Sequence, residues 1–154
     1  TGHLVCSTLH TNSSVETITR LVNMGIPNYL ISSSVSLVIG QRLARKVCQE
    51  CKVEDKNASP KLLKQMKLPS DLKCFVGKGC KACNNSGYKG RQGIYEILKV
   101  TEELQDGILK NLTIPEMEKV AKKEGFQSMQ EVGAGYINDG VLSLEEYQRT
   151  LFIS

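Results

Sequence analysis

Cys48-Gln49-Glu50-Cys51 and, after 28 intervening residues, Cys80-Lys81-Ala82-Cys83 form the stretch on which the fold of this 154-residue chain turns. A two-residue gap lets both thiolates of a C-x-x-C pair converge on one side of a backbone knuckle while its amides turn toward the sulfurs. Two such knuckles complete a tetrahedral S4 site, the pattern of structural zinc. With all four positions filled by protein, no place remains for a catalytic water. The same residues also allow two disulfides or four plain thiols, but cytoplasmic chains rarely keep structural disulfides. Cys74 has no C-x-x-C partner, and Cys6 is read as a small buried apolar residue of an opening strand.

Working outward, residues 48–90 are dominated by Lys, Gly and Cys. Only Leu62, Leu63, Met66 and Leu68 suggest a short amphipathic helix there. Such an insert cannot bury enough apolar surface to stand unaided, so metal binding would supply its folding energy. Upstream, a strand is expected at about His3–Leu9. Ser13-Ser14-Val15-Glu16 then has the S-x-x-E spacing of a capping box, which starts a helix reaching about Met24. Its apolar residues Val15, Ile18, Leu21 and Val22 recur every three to four positions, and Gly25 with Pro27 ends it. A second helix is expected at about Asn28–Ser36, then a strand to Val47 carrying Arg42 and Arg45. Downstream, Gly93–Leu98 reads as a strand. Three or four helices fit residues 102–151, two of them opened by capping boxes at Thr113/Glu116 and Ser143/Glu146. No internal repeat is found.

Apolar residues make up 40% of the chain and charged residues 23%, which suits a globular chain with a core and excludes disorder throughout. The longest apolar runs, such as Leu37-Val38-Ile39, fall far short of the roughly 18 residues that span a bilayer. No basic stretch followed by an apolar one opens the chain, so the expected compartment is the cytoplasm. The formal charge of +4 is unevenly spread. Residues 1–40 are neutral, residues 41–100 carry 14 bases against five acids, and residues 101–154 carry five bases against ten acids. A basic centre of this kind meets nucleic acid, anionic lipid, nucleotide phosphate or an acidic protein surface, or is simply a solvated face.

His3 and His10 are the only histidines, so imidazole chemistry must lie at the start of the chain. Seven residues apart, they would fall on opposite faces of a regular strand, with His10 at its carboxyl end, where ligands gather in open α/β sheets. The segment Thr1-Gly2-His3-Leu4-Val5-Cys6-Ser7-Thr8-Leu9-His10-Thr11-Asn12 resembles the histidine box of the secretion ATPase superfamily, specifically its type II secretion and type IV pilus assembly members. Three further stretches follow in that family's order. Gln41-Arg42-Leu43 leading to Lys46-Val47-Cys48-x-x-Cys51-Lys52 resembles the approach to its zinc subdomain, and Cys80-x-x-Cys83 with Gly87-Tyr88-Lys89-Gly90-Arg91-x-Gly93-Ile94-Tyr95-Glu96 resembles the exit. Gly140-Val141-Leu142-Ser143-Leu144-Glu145-Glu146 resembles the closing helix start. The likeness covers essentially the whole chain. Departures stand at Cys6 and Gly40, where an apolar residue and Ala are expected, and at Tyr147-Gln148-Arg149.

The resemblance implies an α/β chain made of the distal part of a RecA-like P-loop ATPase core with the histidine box (1–47), a tetracysteine zinc subdomain (48–90), and a strand followed by a carboxyl-terminal helical bundle (91–154). His10 would lie near the nucleotide γ-phosphate and His3 would support the site or a subunit contact. Cys48, Cys51, Cys80 and Cys83 would hold Zn2+, while Arg42 and Arg45 keep no assigned role. The parent would be a cytoplasmic hexamer, peripheral at the inner membrane, working against other subunits of the same hexamer and a platform protein. No G-x-x-x-x-G-K-[ST] and no acidic metal-binding strand occur here. In the family these precede the histidine box, so ATP and Mg2+ belong to the parent and this chain should not hydrolyse ATP alone. The rival reading is a zinc-ribbon nucleic-acid module. Against it stands the poor aromatic supply, with only Phe75 and Tyr88 near the knuckles.

Overall fold

The computed structural model describes residues 2–152. In chain order its elements are α1 (Ser14–Asn23), α2 (Asn28–Ser34), β1 (Leu37–Val47), β2 (Lys52–Glu54), α3 (Pro60–Gln65), β3 (Phe75–Gly77), a 3-10 turn at Lys81–Cys83, β4 (Tyr88–Lys99), α4 (Glu102–Leu109), α5 (Ile114–Lys123), α6 (Met129–Asn138) and α7 (Leu144–Leu151). β1 pairs with β4, and β2 pairs antiparallel with β3 through Lys52–Gly77, Val53–Val76 and Glu54–Phe75. No helix among the described residues is long and apolar enough to cross a membrane.

Compactness divides the chain into Thr1–Gly40 with Glu96–Phe126, and Gln41–Tyr95 with Gln127–Ser154, so the boundary falls inside both long strands. In the first unit, Ser13 caps α1 by accepting the Glu16 amide. The Glu16 carboxylate, expected to close the box on Ser13, instead accepts the Asn12 amide at 3.3 Å. The apolar stripe of α1 buries Val15 and Ile18 against Ile31, Leu98, Val100, Leu104, Ile108, Met117 and Ala121. Thr113 and Glu116 form the complete capping box that starts α5. Asn28 donates to the Ile108 carbonyl at 2.8 Å and to Asn111 at 2.7 Å, tying α2 to the end of α4. Glu96, buried in β4, accepts both the amide and the hydroxyl of Ser14 at 2.6 Å.

The strand expected at His3–Leu9 does not form. Residues 2–10 are irregular and exposed, with Leu4 91% and Val5 79% accessible. A strand exists through its neighbour, and no strand among the described residues pairs with this segment. Cys6, expected to be buried there, is accordingly exposed.

The second unit packs α3, α6 and α7 around Ala44, Leu63, Met66, Leu68, Cys74, Ile94, Met129, Ile137, Leu142, Leu144 and Tyr147. Tyr147 takes the apolar place on α7 that the sequence pattern left in question, being almost fully buried with its hydroxyl on the Gln130 carbonyl at 3.2 Å. Of Leu62, Leu63, Met66 and Leu68, expected on one short amphipathic helix, the first two lie on α3, Met66 caps it and Leu68 follows it; Leu62 is partly buried and the other three are buried.

Candidate metal centre

The approach to the first knuckle is the end of β1, where the Cys48 amide bonds the Gly87 carbonyl at 2.9 Å. The exit is β2, just before which the Cys51 carbonyl accepts the Lys78 amide at 3.1 Å. The second knuckle wraps the 3-10 turn: Cys80 stands at its N-cap and Cys83 closes it. Asn84 and Asn85 follow in the left-handed region, which Asn tolerates better than other non-glycine residues. The two knuckles come so close that Gly77 and Gly87 admit no side chain. A Cβ on Gly87, at φ +76°, would sit 2.5 Å from the Gly77 carbonyl oxygen, and one on Gly77 would sit 2.1 Å from the Gly87 oxygen.

This backbone brings all four sulfurs within 4.8 Å of one another. Cys48 Sγ lies 3.9 Å from Cys80 Sγ, Cys51 Sγ 3.9 Å from Cys83 Sγ, and Cys80 Sγ 3.7 Å from Cys83 Sγ. A tetrahedron with Zn–S bonds of about 2.3 Å has edges of about 3.8 Å, so the donor set fits zinc in both chemistry and size. Disulfides need sulfurs at about 2.05 Å, and all six cysteines are free thiols. Cys74 is buried in the apolar core, apart from the cluster. When bound, zinc would cross-link the two loops as a closed structural centre, with no open position for chemistry.

Backbone amides already point at the sulfurs. Cys83 accepts from Cys80 at 3.2 Å and from Gly87 at 3.3 Å, and Cys51 accepts from Gly79 at 3.3 Å. Burial pushes the Cys51 thiol up to about 12 against the opposing Gly79 amide. Burial also raises Cys83, but the Cys80 and Gly87 amides outweigh it and hold that thiol down to about 6. Outside the sulfurs, the exposed Lys89 ammonium pairs with Glu50 at 3.2 Å beside the first knuckle.

A second polar cluster in the same unit was not legible in the sequence. Ser143 caps α7 by accepting the Glu146 amide at 3.1 Å, but the Glu146 carboxylate does not return to Ser143 as a capping box requires. Fully buried, it takes the Arg45 amide at 2.7 Å, Arg45 Nη2 at 2.7 Å and Arg149 Nη2 at 2.5 Å. Burial opposes its ionisation, yet the two guanidiniums hold its carboxyl down to about 2. The Arg45 guanidinium also stacks on the Tyr88 ring at 4.2 Å, and the Tyr88 hydroxyl meets Ser143 Oγ at 2.8 Å. Arg45, without a role in the sequence reading, thus joins β1 to α7. Phe75, the other aromatic near the knuckles, lies under Lys52 Nζ at 5.2 Å. Both rings that a nucleic-acid reading would use for stacking therefore already carry cations. His3 and His10 are exposed, in the irregular opening segment of the first unit, whereas the four cysteines belong to the second.

A family model described as type II/IV secretion system protein matches residues 1–149. The type IV pilus assembly ATPase PilB of Pseudomonas aeruginosa is 46% identical over 153 residues, which cover 97% of this chain and 27% of that protein. The type II secretion system ATPase E of Vibrio cholerae is 41% identical over 150 residues, covering 97% of this chain and 30% of its own length. Among solved structures, the pilus retraction motor PilT with bound ADP shares the fold at a TM-score of 0.60 and 22% identity, over 97% of this chain and 32% of PilT. The chain therefore spans between a quarter and a third of these proteins.

Proposed function

From the premise that this chain belongs to the type II/IV secretion system protein family, we propose that it is the carboxyl-terminal portion of a cytoplasmic hexameric ATPase. That motor powers type IV pilus assembly or type II protein secretion from the inner membrane face. The observation that carries the reading is the 46% identity, over 97% of this chain, to a relative named a type IV pilus assembly ATPase. In this reading residues 1–47 complete a RecA-like core whose phosphate loop and Mg2+ carboxylates lie outside the chain. Residues 48–90 are the zinc subdomain, and residues 91–154 end in a helical bundle. His10 stands near the γ-phosphate of ATP and His3 supports it. Both histidines are exposed in an irregular segment, where a phosphate-bearing ligand could reach them.

Zinc has no part in turnover here. It fixes the shape of a basic surface on which Lys73, Lys78 and Lys81 are exposed, the proposed contact with a neighbouring subunit or the membrane platform protein. The test uses the full-length parent. His10→Ala lowers ATP turnover at least tenfold with the hexamer intact, and the present chain alone turns over no ATP. A His10→Ala hexamer with wild-type turnover refutes the histidine assignment. Charge reversal at Lys73, Lys78 and Lys81 that leaves assembly unaffected refutes the partner surface.

A further inference from the structure

The four clustered cysteines differ in exposure and in the hydrogen bonding of their sulfurs. Cys48 and Cys83 are buried, while Cys51 and Cys80 remain partly open to solvent. Of the open pair, Cys80 Sγ accepts amides of its own turn, those of Cys83 and Ala82. Cys51 Sγ accepts a single amide, from Gly79 across the centre at 3.3 Å. Each N–H donated to a thiolate draws off negative charge and makes the sulfur a poorer nucleophile. Burial shields the other two, of which Cys83 also carries two amides. Residue exposure and the fewest donated amides among the partly exposed pair therefore coincide at Cys51.

We propose that Cys51 is a modification site: the sulfur that electrophiles and peroxides attack first, and the one through which the metal centre opens. The inference rests on the zinc reading above. With a peroxide, Cys51, which would be a thiolate with zinc bound, attacks one peroxide oxygen, the O–O bond breaks, and the departing hydroxide leaves as water after taking a proton. Cys51 is then a sulfenic acid. The Cys83 thiolate, 3.9 Å away, attacks that sulfur, forms the S–S bond and expels hydroxide. Two thiolates have lost two electrons and the peroxide has gained them. Because Cys51 and Cys83 come from different knuckles, this disulfide takes one ligand from each pair. Cys48 and Cys80 are left as a two-sulfur remnant that cannot hold a closed tetrahedral ion, so zinc departs. A reagent that reaches the chain is thereby converted into loss of the cross-link that shapes the second unit.

The experiment uses the zinc-loaded protein carrying Cys6→Ser, which removes the exposed thiol outside the cluster. Zinc content is measured first. Limiting iodoacetamide is then added, zinc release is followed with a colorimetric indicator, and alkylated peptides are mapped by mass spectrometry. A parallel sample receives hydrogen peroxide. Cys51 is expected to be alkylated severalfold faster than Cys80 and faster still than Cys48 or Cys83, with zinc released in step with Cys51 modification. Peroxide is expected to give a peptide joined through Cys51 and Cys83. Equal rates at all four cysteines, or faster reaction at Cys80, overturn the proposal while leaving the zinc reading intact. A protein with no zinc at the outset overturns both.

Discussion

Replacing Glu146 by Gln keeps the shape of the side chain and one acceptor for the Arg45 amide, and removes the buried charge between Arg45 and Arg149. The Glu146 side chain is fully buried, and its carboxyl is held at about 2 instead of 4.5. Holding the carboxyl at about 2 instead of 4.5 corresponds to about 3 kcal/mol favouring the ionised folded form. Both arginine partners are about half exposed, 45% and 50%, so solvent screens the attraction and about 2 kcal/mol is the working magnitude. The sign follows from the depressed folded value. The stabilisation is fully present above about 4.5, the unfolded value, and is lost as pH falls through about 2. Thiolates that hold zinc also protonate in acid, so the informative quantity is the difference between wild type and Glu146→Gln, both zinc-loaded, at pH 6 to 8. Urea unfolding should show a lower midpoint with unchanged slope, a loss of about 2 kcal/mol that stays constant across that range. A difference below about 0.5 kcal/mol, the scale of an ordinary surface change, would refute the assignment of Glu146 as the anchor of α7.

Three further outcomes are expected. Chelation should remove amide protection from β2, β3 and the Lys81–Cys83 turn while α1, α4 and α5 keep theirs, because the first unit has its own apolar core; uniform loss across the chain in hydrogen exchange would contradict this. Gly87→Ala should weaken zinc binding at least tenfold, about 1.4 kcal/mol, in a competition titration, since its Cβ meets the Gly77 carbonyl at 2.5 Å from a left-handed backbone. Leu104→Ala should cost about 2–5 kcal/mol in urea unfolding and leave zinc affinity unchanged, because Leu104 is buried only in the first core.

What could be read from the sequence was local. The Cys48/Cys51 and Cys80/Cys83 spacings are short enough for each knuckle to dictate its own geometry, and the sulfurs converge as those spacings imply. Thr113 and Glu116, three residues apart, close their box for the same reason. Ser128 and Glu131 form another that the sequence reading passed over, although the S-x-x-E signal is there. Long-range partners decided the failures. His3–Leu9 has strand composition, yet no strand among the described residues pairs with it, so Cys6 is exposed. Glu146 has the spacing of a box with Ser143, but an arginine 101 residues away in sequence outbids the Ser143 amide for its carboxylate. Strand β4 starts at Tyr88, five residues before the apolar run that announced it, in a segment whose Lys, Gly and Arg carry no strand signal of their own.

Zinc K-edge absorption on the purified chain, with metal content measured on the same sample, tests the central claim most directly. The account predicts one zinc per chain surrounded by four sulfur scatterers at about 2.3 Å. Absence of zinc after expression in its presence, or a first shell containing nitrogen or oxygen, would contradict it.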